Sequence, residues 1–258
     1  MNRPRHLLEA WAQIHRRICR ASRLALLTDF DGTLAPIRAV PDQVRLSPSV
    51  RSLLAAISGS GVTVGVISGR SLADLRARVG LPGIWHVGTH GFSLCPPGGR
   101  PLFLATTAQK KAVARARRKL IRQLSGLEGV YLEPKPVSVA VHYRSAPRRS
   151  RVRALDAVKN VLEEVPGLRL LSGKRVWELL PDSPTSKWSA IQRILRHEPR
   201  SRQLVFYLGD DASDEKVFEK LKDITVAVGK RHETRARFFL RSPAEVRQFL
   251  RSFREAVA

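Results

Sequence analysis

Two rhythms of apolar and polar residues alternate along the chain. Residues 24–28 form a short apolar run that stops at acidic residues. Positions 48–58 follow a helical period, opened by Ser47 as N-cap and Pro48 at the first helical position. Residues 62–68 (VTVGVIS) are continuously apolar and β-branched, as in a parallel strand covered on both faces. Ser71-Leu72-Ala73-Asp74 matches a loose capping box that starts a helix, and 84–87 reads as another short strand. Before all of these, Leu7, Leu8, Trp11, Ile14 and Ile18 recur at helical spacing and predict a surface helix.

The rhythm changes after the Pro/Gly-rich stretch 94–101, which reads as a loop and a boundary. A basic helix around 110–119 precedes strand-like segments at 129–133 and 137–143, then a helix over 152–165. Two further strand-like stretches, 168–171 and 175–180, end at Pro181-Asp182-Ser183-Pro184. Alternation then resumes with a helix at 187–196, a strand at 204–208, a helix at 214–221, a strand at 224–228 and a last helix after Ser242-Pro243. The pattern predicts an α/β fold: a doubly wound, mainly parallel, Rossmann-like core sheet with an inserted α+β module. The expected core is 1–103 with 182–258, and the insertion 104–181.

Composition narrows the partners. The 258 residues are 43% hydrophobic and 26% charged, enough for a real core. No apolar run approaches the ~20 residues that cross a bilayer, and the first 23 residues lack a signal-peptide pattern. Cys19 and Cys95 have no metal-ligand or redox spacing and read as ordinary thiols. These features lead to the expectation of a cytoplasmic, monomeric protein without a membrane partner. The net charge of +24 would draw polyanions. Yet the densest basic stretch, 110–119, is a helix face without aromatics for stacking bases, so no specific nucleic-acid partner is expected.

The acids are few and placed together. Asp29 and Asp31 stand where a strand ends, the edge at which open parallel sheets carry their sites. Two carboxylates so close repel unless a cation lies between them or one holds a proton. Gly32 permits a tight loop, and Thr33 offers a hydroxyl and an N–H to phosphate oxygens. An aspartate can attack phosphorus and so split a hard hydrolysis into two easier steps. A plain Asp-Gly turn is the competing reading. Ser68 ends the next strand, as a phosphate-holding hydroxyl or an N-cap. Lys187, at another helix start, is either solvated or neutralises charge on the nucleophile. Gly209-Asp210-Asp211-Ala212-Ser213-Asp214-Glu215 closes a buried strand with four acids in six residues. Asp214 reads as a helix cap, but Asp210 and Asp211 at the strand end need another reason. A carboxylate from this loop, with Asp29 and the carbonyl of Asp31, suits Mg²⁺.

The set DFDGT, then Ser68, Lys187 and GDD resembles the haloacid dehalogenase-like phosphatase superfamily. The resemblance implies Asp29 as nucleophile, Asp31 as general acid/base, Ser68 and Lys187 as phosphoryl grips, and Mg²⁺ held by Asp29, Asp31 and Asp210 with Asp211 and Asp214 behind. An insertion between the Ser and Lys motifs is similar to the C2-type cap. Within that superfamily the chain resembles trehalose-6-phosphate phosphatases. It is similar to them in its Gly88-Thr89-His90-Gly91 loop, in a GDDxTDE-like motif that reads GDDASDE here with Ser213 for the usual Thr, and in cap signatures at Glu133-Pro134-Lys135 with Ser138, His142, Tyr143 and Arg144, and at 173–181 around Glu178. The resemblance makes Glu133, Lys135 and Glu178 contacts to sugar hydroxyls, and Gly69, Arg70, His90 and Arg144 further substrate-binding positions. It implies hydrolysis of a sugar phosphate, trehalose 6-phosphate first, with sucrose 6-phosphate or mannosyl-3-phosphoglycerate as sibling substrates. A basic polyanion-binding protein on the same fold is the reading from another class. One departure stands out: Trp188 follows the motif lysine, where the family usually has glycine.

Overall fold

The computed structural model describes residues 3–38, 41–173, 175–197, 203–229 and 233–258. They form two compact units, Met1–Leu102 with Thr185–Ala258, and Phe103–Pro184.

The first unit is an α/β fold around a mainly parallel sheet. In chain order its elements are β1 (Arg5–His6), α1 (Trp11–Cys19), β2 (Arg23–Thr28), α2 (Pro48–Gly59), β3 (Thr63–Ile67), α3 (Leu72–Val79), β4 (Trp85–Gly88) and β5 (Ser93–Cys95), with β6 (Leu102–Phe103) at the boundary to the second unit. After the inserted unit come α6 (Lys187–His197), β11 (Gln203–Gly209), α7 (Glu215–Lys220), β12 (Ile224–Val228), β13 (Phe238–Leu240) and α8 (Pro243–Val257). The nine strands run β1-β13-β12-β11-β2-β3-β4-β5-β6. Pairing is parallel from β1 through β4, and β5 turns back antiparallel on β4.

Alternation along the central strands explains the layers. Leu26, Val64, Val66, Phe206 and Leu208 pack in one cluster with Ile14 and Ile18 of α1, Val50, Leu54 and Ile57 of α2, and Phe249 and Phe253 of α8. Ala25, Leu27, Val205 and Tyr207 point the other way and are also buried. A strand buried on both faces is apolar at nearly every position, with a polar group only where it finds a partner, which is why 24–28 and 204–208 read as near-continuous runs.

The inserted unit stacks two helices, α4 (Thr107–Leu124) and α5 (Arg148–Glu164), on an antiparallel sheet. Its strands are β7 (Tyr131–Lys135), β8 (Ser138–His142), β9 (Leu168–Gly173) and β10 (Val176–Pro181), ordered β7-β8-β10-β9. Val139, Val141 and Leu179 face the helices, with Leu132, Leu170 and Trp177 packed beside them. The opposite face therefore carries Glu133, Lys135, Ser138 and Glu178.

Some expectations are corrected. The stretch 94–101 is not all loop, because Leu94 and Cys95 extend β5 and pair with β4. Ser71 caps α3, but the Asp74 carboxylate turns to Arg70 and Arg78 rather than closing a capping box. Asp214 makes no side-chain cap to α7. The short strands β1, β6 and β13 carry too few residues to show a period.

Candidate active site

Parallel neighbours end on one edge. Because β11, β2, β3 and β4 are adjacent in that order, their C-terminal ends deliver Asp210, Asp29, Ser68 and the 89–91 turn to the same side of the sheet.

Asp29 is buried, its N–H held by the Leu208 carbonyl at 2.8 Å. Lys187, also buried, places Nζ 2.6 Å from Asp29 Oδ1 and 2.8 Å from Asp214 Oδ1. Burial pushes the Asp29 carboxyl well above its usual range. Lys187 opposes that shift, while Asp214, Asp210 and Asp211 reinforce it. The lysine feels the same acids: burial works against its charge, yet Asp214 and Asp29 hold it firmly protonated. Trp188 is half-buried and leaves these contacts in place.

Asp214 organises this end of the site. Its Oδ1 accepts from Lys187 and, at 2.5 Å, from the buried Tyr207 hydroxyl. Its Oδ2 accepts from the N–H groups of Asp210 and Asp211 at 2.9 and 3.0 Å. Four donors saturate the carboxylate, so it shapes the acidic loop. Sequence reasoning missed Tyr207. The available signal was a tyrosine inside an otherwise apolar strand, whose hydroxyl needs a partner when buried.

The acids form a concentrated site. Carboxylate oxygens of Asp29, Asp210 and Asp214 lie within 4.8 Å of one another, the only such group among the described residues. Burial works against charge on Asp211, yet Lys187 and two bonds from Ser213 hold its carboxyl below the usual range. Four clustered acids around the Lys187 ammonium, offering oxygen donors, fit a hard divalent cation such as Mg²⁺. Gly32, at φ +85°, lies so close to Asp210 that an added Cβ would sit 2.2 Å from its Oδ2. The Thr33 hydroxyl oxygen is buried beside them with no protein partner among the described residues.

Ser68 is buried and its Oγ accepts the Arg70 N–H at 3.1 Å. Ser71 rather than Ser68 caps α3. The turn from β4 is zipped to this loop by His90 N–H to the Ser68 carbonyl, 3.1 Å, and Thr89 N–H to the Arg70 carbonyl, 2.7 Å. Thr89 and His90 both adopt left-handed φ, 48° and 53°, a conformation costing of order 1 kcal/mol or more for such residues. The turn brings the His90 ring over Gly69, where a Cβ would meet it at 2.6 Å. Arg70 forks onto Asp31 with contacts of 2.7 and 2.6 Å.

In the inserted unit, Glu133, Ala140 and Glu178 are cross-strand partners. Glu178 is buried, and its Oε1 accepts from Lys135 at 3.0 Å and Ser138 at 2.6 Å. Both partners of the Lys135–Glu178 pair are under one-tenth exposed, so this is no surface ion pair. Glu133 meets His142 at 2.8 Å; despite its burial, His142 and Lys135 keep its carboxyl below the usual range. Arg144 is exposed just beyond β8, and Lys174 of the second cap signature lies outside the described residues.

Residues 27–244 match the family model described as trehalose-phosphatase. The chain is 38% identical over 250 residues to a trehalose-phosphate phosphatase of Mycobacterium tuberculosis (strain H37Rv), covering 92% of this chain and 63% of that protein. It is 38% identical over 237 residues to the Mycobacterium ulcerans protein of the same name, covering 88% and 60%. The chain thus spans under two-thirds of the length of these curated relatives. Among solved structures, the C. albicans trehalose-6-phosphate phosphatase C-terminal domain superposes with a TM-score of 0.82 at 21% identity, with 98% of each chain covered. That likeness speaks for the fold.

Proposed function

We propose that this chain, which belongs to the trehalose-phosphatase family, hydrolyses trehalose 6-phosphate to trehalose and phosphate through an aspartyl-phosphate on Asp29. The observation that carries the reading is the buried Lys187 ammonium bridging Asp29 and Asp214 where the parallel strands β2 and β11 end. A buried carboxylate held by a lysine, in a cluster of further acids, suits a nucleophile that must face a phosphate ester.

In the first step an Asp29 oxygen attacks phosphorus and the bond to the sugar oxygen breaks. Asp31 gives that oxygen its proton. In the second, Asp31 takes a proton from water as the water oxygen attacks phosphorus, releasing phosphate and restoring Asp29. Lys187 balances charge on the nucleophile and phosphoryl group. The Ser68 hydroxyl and the Thr33 hydroxyl and N–H contact phosphoryl oxygens. Asp29, Asp210 and the Asp31 carbonyl would hold Mg²⁺, with Asp211 and Asp214 ordering the loop around it. The ion would neutralise phosphoryl charge.

Glu133, Lys135 and Glu178 are assigned to sugar hydroxyls, because carboxylates accept strongly from hydroxyls and Lys135 can donate. Gly69, His90 and Arg144 are assigned to the substrate side of the reaction, whereas the Arg70 guanidinium, expected there too, is engaged by Asp31 and Asp74. Two free thiols, exposed Cys19 and buried Cys95, suit a reducing compartment and support a cytoplasmic setting.

The test is phosphate release from a panel of disaccharide and monosaccharide phosphates, with Mg²⁺ or with EDTA, for the wild type and Asp29→Asn. Trehalose 6-phosphate is expected to be the preferred ester and EDTA to stop its turnover. Asp29→Asn is expected to lower turnover by at least about a thousandfold. Turnover surviving in Asp29→Asn would refute the mechanism, and preference for another ester would refute the substrate.

A further inference from the structure

Arg70 is committed to two carboxylates at once. Its Nε and Nη2 fork onto Asp31, and its Nη1 reaches Asp74 Oδ2 at 2.8 Å. The Phe30 ring lies 5.7 Å from its guanidinium carbon. Asp74 in turn accepts from Arg78, whose Nε is 2.8 Å from both carboxylate oxygens and whose Nη2 is 2.7 Å from Oδ1. Arg78 is itself buried. It ends the series on the loop before α2, with Nη1 on the carbonyls of Val44 (2.7 Å) and Asp42 (3.0 Å) and Nη2 on the Asp42 carboxylate (3.1 Å). Charges thus alternate from Asp31 through Arg70, Asp74 and Arg78 to a backbone anchor. Arg70, Asp74 and Arg78 are four residues apart, which aligns the last two on one face of α3.

The chemistry of a guanidinium makes this more than charge balance. Its donors are coplanar and fixed, so a forked carboxylate can occupy only one plane. An acid that must meet a leaving oxygen needs its direction set closely. We propose that Asp74, braced by Arg78, is a positioning residue that fixes Arg70, so that Arg70 sets the plane in which Asp31 meets the leaving group. The role rests on the reading of Asp31 as acid/base, and it makes Arg70's fork serve Asp31 rather than the phosphate.

Two aryl esters separate the possibilities. Phenolate leaves poorly without a proton, whereas the far more acidic 4-nitrophenol leaves without one. For Asp74→Asn and Arg70→Lys, kcat on phenyl phosphate is expected to fall roughly tenfold more than kcat on 4-nitrophenyl phosphate, with KM little changed. Asp74→Glu, which keeps the carboxylate, is expected to recover part of that ratio. Arg70→Lys leaves the Asp74–Arg78 pair in place, so it carries the test even if Asp74→Asn unfolds. Equal losses on both esters would reduce the series to a structural brace and overturn the proposal. A raised KM on both with kcat kept would make Arg70 a phosphate ligand and overturn it as well. Asp29→Asn, assayed alongside, is expected to lose both esters. Turnover there would sink the underlying mechanism instead, by a different variant.

Discussion

Gly32 and Asp210 meet at the tightest point of the acidic site. The +85° φ of Gly32 already disfavours a side chain, and a Cβ would overlap the Asp210 carboxylate. Gly32→Ala is therefore expected to displace Asp210 while leaving most of the fold intact. Circular dichroism is expected to be unchanged while turnover assayed with Mg²⁺ falls roughly a hundredfold, the usual consequence of an ångström-scale misplacement at a reacting centre. Near-normal turnover would remove Asp210 from the proposed metal site. Asp214 gives the companion lesson about single residues. Read from the sequence it is a helix cap, but its four donors show a carboxylate that orders Lys187, Tyr207 and the loop.

Strand β4 shows what an element imposes on its own residues. Because it lies between β3 and β5, His86 is buried, and its Nε2 has no partner among the described residues. Burial, with Arg76 adding to it, pushes the His86 pKa down from 6.5 to about 4. The unfolded chain then binds this proton more readily than the folded one. Stability from this group is complete above pH 6.5 and is lost as pH falls toward 4. The shift corresponds to roughly 3 kcal/mol across that window. Denaturant titrations at pH 7 and 4.5 are expected to show a smaller loss for His86→Phe than for the wild type, by roughly 2–3 kcal/mol. An unchanged difference would mean that His86 is hydrated in the folded state. The zipped loops after β3 and β4 are a second product of element order, because adjacent strand ends bring His90 over Gly69.

At the scale of the whole molecule, each of the two units carries its own polar cluster. The first holds the acidic site on its parallel sheet, and the second holds the polar row Glu133, Lys135, Ser138 and Glu178 on its antiparallel one. Glu178→Gln is thus expected to lower kcat/KM on trehalose 6-phosphate by roughly 10–100-fold, the worth of a charged hydrogen bond to a hydroxyl. Turnover of 4-nitrophenyl phosphate is expected to change far less. Equal losses on both would remove the sugar-binding role from Glu178. The +24 charge does not enter this division. The basic face of α4 is exposed opposite its apolar stripe of Val113, Ala116, Leu120 and Leu124, as a solvated helix face would be.

By itself the sequence determined what depends on neighbours along the chain. Period and apolar content marked the central strands, Ser47 and Pro48 marked the start of α2, and strand-end acids marked Asp29 and Asp210. The order of the motifs was enough to see a phosphatase resemblance and an insertion. Only the tertiary structure decided which distant groups meet. Lys187 reaches Asp29 across 158 positions, and Arg70 forks onto Asp31 across 39. Such contacts follow from the order in which strands join the sheet, and no local period encodes that order. The short strands β1, β5, β6 and β13 were hidden for the same reason: two or three residues become a strand only when a neighbour supplies the ladder. The fate of a buried carboxylate is likewise set by the donors that packing brings to it, which is why Asp74 and Asp214 read as caps in the sequence and act as organisers in the fold.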